Sequence, residues 1–214
     1  MVDKSKKERI LDAAEKAFSE RGPYGVSLRD IARDADVDVS LVTYHLGKRE
    51  DVYDAVIMRR LDTLNTERRK YLDEAIRHAA PDAPSLEAIV DAFSHAMLNR
   101  AETGGEGWGR YMSLIAQMNN NPEWGGKMMN LYFDSLVNSF IDVFKQILPD
   151  ADEADLFACY HFFSGALTLT FANTGRIDSL SGGALKSADF DAMHKRLVPF
   201  ICAGFRTLCE KTDQ

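Results

Sequence analysis

Residues 27–50 read SLRDIARDADVDVSLVTYHLGKRE, and the fold follows from them. Ser27 is a helix-capping residue with Asp30 three positions on. That spacing lets hydroxyl and carboxylate each satisfy an amide that the first turn leaves without a partner. Leu28, Ile31, Ala32 and Ala35 then recur on one helix face, and the two alanines are small enough to let a second helix touch the first. Asp36 stands at the turn, where the backbone must pass through the left-handed region; aspartate is among the few non-glycine residues that do so readily. Asp38 caps a second helix from Val39 to about Tyr44, anchored by Val37 and Val42, and Gly47 breaks the chain. A helix pair of this kind can lay its second helix into the major groove of DNA.

The outward side of that second helix carries Val39, Ser40 and Thr43 as candidate base readers. Serine and threonine bond several base edges, and valine or the threonine methyl can touch a thymine methyl. Without an arginine or asparagine to form a bidentate contact, this set specifies sequence weakly. Tyr44, His45, Lys48 and Arg49 read as phosphate positioners, and Arg29 with Lys6 or Lys7 can add backbone contacts. A surface three-helix bundle with ordinary charges would share the apolar pattern; the aromatic and basic cluster at 44–49 separates the two readings.

Working outward, a helix from about Lys6 to Glu20 precedes this stretch, with Ile10, Leu11, Ala14, Ala17 and Phe18 on one stripe and Gly22-Pro23 as its stop. After Gly47 the pattern predicts a long helix over 49–79 and further helices over 86–99, 108–118, 123–148, 154–173 and 189–211, with Pro199 bending the last. The segments at 81–84, 103–107, 119–122 and 174–183 read as turns or loops. The chain is thus all-α, with about nine helices and no convincing strand. A division follows at residue 48: residues 1–48 form the helix-turn-helix head and residues 49–214 a helical body.

Charge supports that division. The net charge of −7 excludes a generally basic nucleic-acid coat protein. Residues 1–60 hold 12 of the 26 Lys+Arg and 12 of the 33 Asp+Glu, so the head is neutral and all of the −7 lies in the body. The N-terminus lacks the apolar stretch of a secretion signal. Three cysteines, Cys159, Cys202 and Cys209, form no CxxC pair and read as small core residues of a cytoplasmic protein rather than a metal site. Twenty residues without a formal charge, 156–175, reach the length of a membrane span, but Tyr160, His161, Ser164, Thr168, Thr170, Asn173 and Thr174 make them too polar. A helix buried on all sides, partly by a second subunit, is the better reading.

The residues Ala17-Phe18, then Ser27-x-x-Asp30-Ile31-Ala32, then Tyr44-His45-Leu46-Gly47-Lys48-Arg49 resemble the N-terminal domain of the TetR family of transcriptional regulators over residues 6–60. Thr43 stands where that family often has a tyrosine, Leu46 where it has Phe, Arg49 where it has Lys, and Asp36 where it has Gly. The run SGALTL…NTGRI…LSGG in 164–183 is similar to the PsrA-like branch, whose members respond to long-chain fatty acids or acyl thioesters.

The resemblance implies a homodimer, a double-stranded operator as partner and an apolar small-molecule ligand, with repression relieved when the ligand binds. Two heads reading a palindrome need a dimer interface, and Phe162, Ala166 and Thr170 with Leu197, Ile201 and Phe205 recur at helical spacing in the last two long segments. Trp108, Tyr111, Met112, Ile115, Trp124 and Met128 are large adaptable side chains suited to a pliable apolar pocket, though core packing explains each alone. Arg110 and His161, polar residues in apolar company, either face a ligand anion or are solvated and satisfied elsewhere. No HExxH, GxSxG, P-loop or Cys–His pair is present, so neither catalysis nor a cofactor is expected. The runner-up is an all-α small-molecule-binding protein or enzyme without DNA binding.

Overall fold

The computed structural model describes residues 5–122 and 125–210, and among them every regular element is a helix. The head comprises α1 (Lys6–Arg21), α2 (Leu28–Ala35) and α3 (Val39–Leu46); then come α4 (Arg49–Ala79), α5 (Leu86–Thr103), α6 (Glu106–Asn119), α7 (Gly125–Tyr132), α8 (Asp134–Ile147), α9 (Glu153–Phe171), α10 (Arg176–Leu180) and α11 (Phe190–Cys209). These are eleven helices rather than the nine expected from sequence.

The head is held by the apolar stripe of α1. Ile10, Ala14 and Phe18 are fully buried, and the Phe18 ring meets Tyr53 edge-on at 5.1 Å. Burying one such aromatic side chain stabilises the fold by roughly 1.5–3 kcal/mol. The long helix α4 starts where the Asp51 carboxylate accepts the Lys48 amide at 3.0 Å. It packs on α1 and α3 of the head and on α5, α6 and α8 of the body, so it belongs to both. The body closes by α5 against α4 and α11, and by α9 against α6 and α11. In the α5–α11 seam the Ser94 hydroxyl and His194 Nε2 lie 2.9 Å apart. The three cysteines are buried, and burial pushes the Cys159 thiol up to about 12 and Cys202 up to about 11. They stay protonated, as core residues do.

Two expectations are corrected. The single helix over 123–148 is two, because Phe133 leaves helical geometry (φ −122°, ψ −26°) with its ring buried. The amides of Leu136 and Val137 both turn to the Phe133 carbonyl, and the freed Tyr132 carbonyl accepts the Asn65 side-chain amide at 3.1 Å. The 174–183 loop contains α10, pinned by the Asp178 carboxylate, which accepts the Ser187 amide at 2.6 Å. Within one chain α9 turns Phe163, Leu167 and Phe171 to the core and Phe157, Phe162 and Leu169 outward, which leaves one side for the second subunit that the sequence reading expects. No helix among the described residues is long and apolar enough to cross a membrane.

Candidate nucleic-acid interface and regulatory sites

The turn at 36–38 is built as its residues require. Ser27 and Asp30 form a reciprocal capping box on α2, and Asp36 closes that helix in the left-handed region (φ 53°, ψ 57°), its amide donating to the Ala32 and Arg33 carbonyls. Asp38 precedes α3 without a side-chain cap bond. Sequence reasoning missed Arg9: its Nη2 donates to the Ala35 carbonyl at 2.5 Å and the Asp36 carbonyl at 2.8 Å, fastening the turn to α1. Because glycine enters the left-handed region without steric cost, Asp36→Gly is expected to stabilise the protein by about 0.5–1 kcal/mol, and a β-branched Asp36→Val to destabilise it by about 1–2 kcal/mol. Urea unfolding midpoints read both, and equal midpoints for the two variants would refute the strain argument.

With the turn fixed, α3 buries Val42 and turns Val39, Ser40, Thr43 and Tyr44 outward; Tyr44 is 82% exposed. The Thr43 hydroxyl donates to its own Val39 carbonyl at 3.3 Å, which leaves its methyl and lone pairs for an outside partner. Arg29 and Lys48 are exposed. His45 is half-buried with its ring edge-on to Tyr44, and Arg49 is held by Glu50 at 3.0 Å and lies over the Tyr24 ring at 5.6 Å. Six of the eight candidate residues are therefore exposed, and His45 and Arg49 are half-buried.

Between head and body lies a polar junction that the sequence did not reveal. Glu15 of α1 is 1% exposed, and its carboxylate accepts from Arg60 at 2.9 Å, with Arg110 at 3.8 Å and Arg59 at 4.0 Å. Arg59 also donates to Asp12 at 2.6 Å. Arg60 and Arg100 both lie over the Trp108 ring, at 5.1 and 4.8 Å, and Arg100 is paired with Glu67. The Tyr111 hydroxyl donates to the Ile57 carbonyl at 3.0 Å, and Gln117 to the Ser19 carbonyl at 2.9 Å. Of the residues expected to line a ligand pocket, Trp108 and Tyr111 tie α6 to α4 and α5, and Arg110 reaches α1. Arg110 donates to the exposed Glu106 at 3.0 Å and lies 3.8 Å from Glu15, its Nε buried without a hydrogen-bond partner.

An internal cavity does exist, further down the body. It is small, about 30 Å³, and is lined by Arg68, Phe93, Met97, Ile115, Met129, Phe133, Val137, Tyr160, Ser164, Leu167, Thr168 and Phe171. Of the expected ligand residues only Ile115 borders it. Met112 and Met128 are buried in the packing around it, His161 is exposed on the outer side of α9, and Trp124 lies outside the described residues. The sequence did carry a signal for Arg68. It interrupts the apolar stripe Leu61, Leu64, Leu72 of α4 at helical spacing, where a leucine would continue the pattern.

The outer face of α9 and α11 is apolar and open. Phe162 is 61% and Phe200 70% exposed, and with Ala203, Gly204, Thr207 and Leu208 they border a groove of about 410 Å³. A separate recess of about 230 Å³ lies beside Leu169, Leu180 and Arg176. The expected interface set divides here. Phe162 faces outward, with Ala166 and Thr170 half-buried, but Leu197, Ile201 and Phe205 turn inward; Phe205 stacks on Phe144 at 4.8 Å. Ile201 and Phe205 nevertheless border the same groove as Phe162 and Phe200.

Two family models cover this architecture. Residues 10–56 match the bacterial regulatory proteins of the tetR family, and residues 91–204 match the tetracyclin repressor-like C-terminal domain. The chain belongs to the tetR family of transcriptional regulators. It is 37% identical over 88 residues to the HTH-type transcriptional repressor Rv3405c of Mycobacterium tuberculosis, a match covering 41% of this chain and 42% of that relative. Identity is 24% over 117 residues, 55% of each chain, to IcaR of Staphylococcus aureus, named a negative transcriptional regulator of the biofilm operon icaADBC. The curated relatives are thus matched over roughly half their length. A tetR-family regulator from Bordetella parapertussis superposes with a TM-score of 0.66 over 96% of this chain and 98% of its own, at 17% identity. The ketosteroid regulator KstR2 of M. tuberculosis does so at 0.64 over 94% and 95%, at 16% identity. At such identities the agreement is one of fold.

Proposed function

We propose that this tetR-family regulator is a homodimeric repressor that binds a palindromic operator through two copies of α3 and is released when a small apolar ligand enters the body. The observation that carries the reading is the outward row Val39, Ser40, Thr43 and Tyr44 beside Lys48 and Arg29. The α2–α3 turn presents that row, which is exposed among the described residues. Residues 1–48 act as the reading head and 49–214 as the regulatory body, with α4 spanning both. The apolar α9–α11 face receives a second copy. Repression rather than activation is favoured by the printed names of Rv3405c and IcaR. A fatty acid or acyl thioester is the ligand class favoured by the PsrA-like run at 164–183. Its place of action is the cytoplasm, where operator DNA is.

Release requires the ligand to prefer a conformation whose heads no longer fit successive grooves, and the effect is limited by the difference in its affinity for the two states. The junction of Glu15 with Arg60 and Arg110 supports a route by which movement of α4 or α6 reaches the head.

The test is selection of bound DNA from a random pool, repeated with Tyr44→Ala/Lys48→Ala. Wild type is expected to recover a palindrome. The double variant is expected to bind it about 10–100-fold more weakly, with a salt dependence flatter by about two units, one for each lysine the dimer loses. Its thermal midpoint should be unchanged, since both side chains are exposed. No enrichment by wild type at low salt would reject the reading.

A further inference from the structure

Arg68 is 2% exposed, the most completely enclosed charge among the described residues apart from Glu15. Unlike Glu15, it has no opposite charge beside it. Among the described residues no carboxylate lies within ion-pairing distance of its guanidinium, and its Nε is buried with no acceptor. The group is stacked at 4.3 Å on Phe93 and lies 5.8 Å from the Phe140 ring. Ring stacking satisfies the face of a guanidinium. It does nothing for the five N–H donors around its edge. Burial pulls the group down to about 10, so it remains a cation at neutral pH.

A buried charge without a partner is costly, and a hydrophobic residue of similar volume would stabilise the site. The cavity explains what the arginine is kept for. Arg68, Tyr160, Ser164 and Thr168 give its lining polar groups, and Met97, Met129 and Phe171 are among its apolar ones. The lining is therefore amphiphilic, with a single positive charge.

We infer that this cavity is the binding site of an amphiphilic monocarboxylate, with its carboxylate on the edge of Arg68 and its apolar body among the methionines. The inference rests on the reading of the chain as ligand-controlled and makes that ligand specific. One guanidinium matches one negative charge, and its planar fork suits a carboxylate. A phosphate dianion would leave a charge unmet, and the acyl end of a thioester has no charge to offer. At about 30 Å³ the ligand-free cavity has room for about one or two waters, so binding has to displace side chains. Met97, Met129 and Phe133 are the movable walls, and the helix break at Phe133 lets α7 yield without unwinding α8.

The experiment is calorimetric titration and thermal shift of the full-length protein with straight-chain carboxylates from butanoate to decanoate and with the primary alcohols of equal length. Wild type is expected to bind the best acid at least ten-fold more tightly than the matching alcohol. Arg68→Met should bring acid and alcohol to equal affinity, and with no ligand present its thermal midpoint should equal or exceed that of wild type. Arg68→Lys should retain part of the preference for the acid. Acids binding wild type no better than alcohols, or not at all, would overturn the inference without any variant, as would an unchanged preference for the acid in Arg68→Met. Operator release is measured separately. Acids that bind through Arg68 but leave DNA affinity intact uphold this site and refute ligand control. Loss of DNA binding in the absence of any acid refutes the regulator reading alone.

Discussion

Phe200→Glu is expected to turn the protein into a monomer. The side chain is 70% exposed in the isolated chain, at the middle of the apolar α9–α11 face. A twofold contact repeats every residue, so one substitution puts two carboxylates into the same dry seam. A central aromatic of this kind contributes at least about 2 kcal/mol to association, and two unpaired buried charges add to the loss. The dimer dissociation constant should rise by about three orders of magnitude or more, read by sedimentation velocity. Folding should be little affected, because Phe200 buries almost nothing within its own chain. Phe162→Glu on α9 should act alike. Leu131→Glu should not, although Leu131 is equally exposed, because it lies on α7 away from the groove. If Phe200→Glu and Phe162→Glu both remain dimeric, the second copy docks elsewhere. Operator affinity should fall with the dimer, since each head alone contacts one half-site.

The second large effect is on stability. Glu15→Leu removes the carboxylate that Arg60, Arg59 and Arg110 share. Breaking a fully buried pair by deleting one partner costs about 3–5 kcal/mol. The arginines here are 20–31% exposed and recover some hydration, so about 2–4 kcal/mol is the expected loss. For a chain of this size that corresponds to a fall in Tm of roughly 5–15 °C. Glu15→Leu combined with Arg60→Leu should lose less than the two single variants added together, because the second change removes a charge already stranded. Strict additivity would show that Glu15 and Arg60 are not coupled. Differential scanning calorimetry reads both quantities.

The parts of the molecule that were legible in advance are those specified by neighbours in sequence. Capping boxes, glycine stops and the apolar stripe of α2 act within four residues, and the Asp36 turn was readable because so few residue types tolerate its backbone. What escaped depends on partners far along the chain. Nothing near Phe133 announces a break, because the side chain that captures the Tyr132 carbonyl is Asn65. For Arg110 the sequence leaves a ligand anion and a position satisfied elsewhere both open, because its partner Glu15 lies on the first helix. Gly107, read as loop composition, leaves the space that the Arg60 guanidinium occupies against Glu15. On α11, spacing identified two faces without saying which meets the core and which meets water. Leu197, Ile201 and Phe205 are buried within the chain, yet Ile201 and Phe205 also border the groove that Phe200 and Leu208 open.

The length of α4 has a mechanical consequence. Arg68 and Arg49 are nineteen residues apart on one unbroken helix, a separation of about 28 Å at 1.5 Å per residue. Such a helix is a lever whose short displacements near the cavity grow toward the DNA end. A tilt of about 5° pivoting near Arg68 carries the start of the helix by about 2.5 Å, and in a symmetric dimer both arms move. A side chain displaced by less than its own width would then shift the spacing of the two heads by several ångströms, which is the scale on which a pair of major grooves accepts or rejects them.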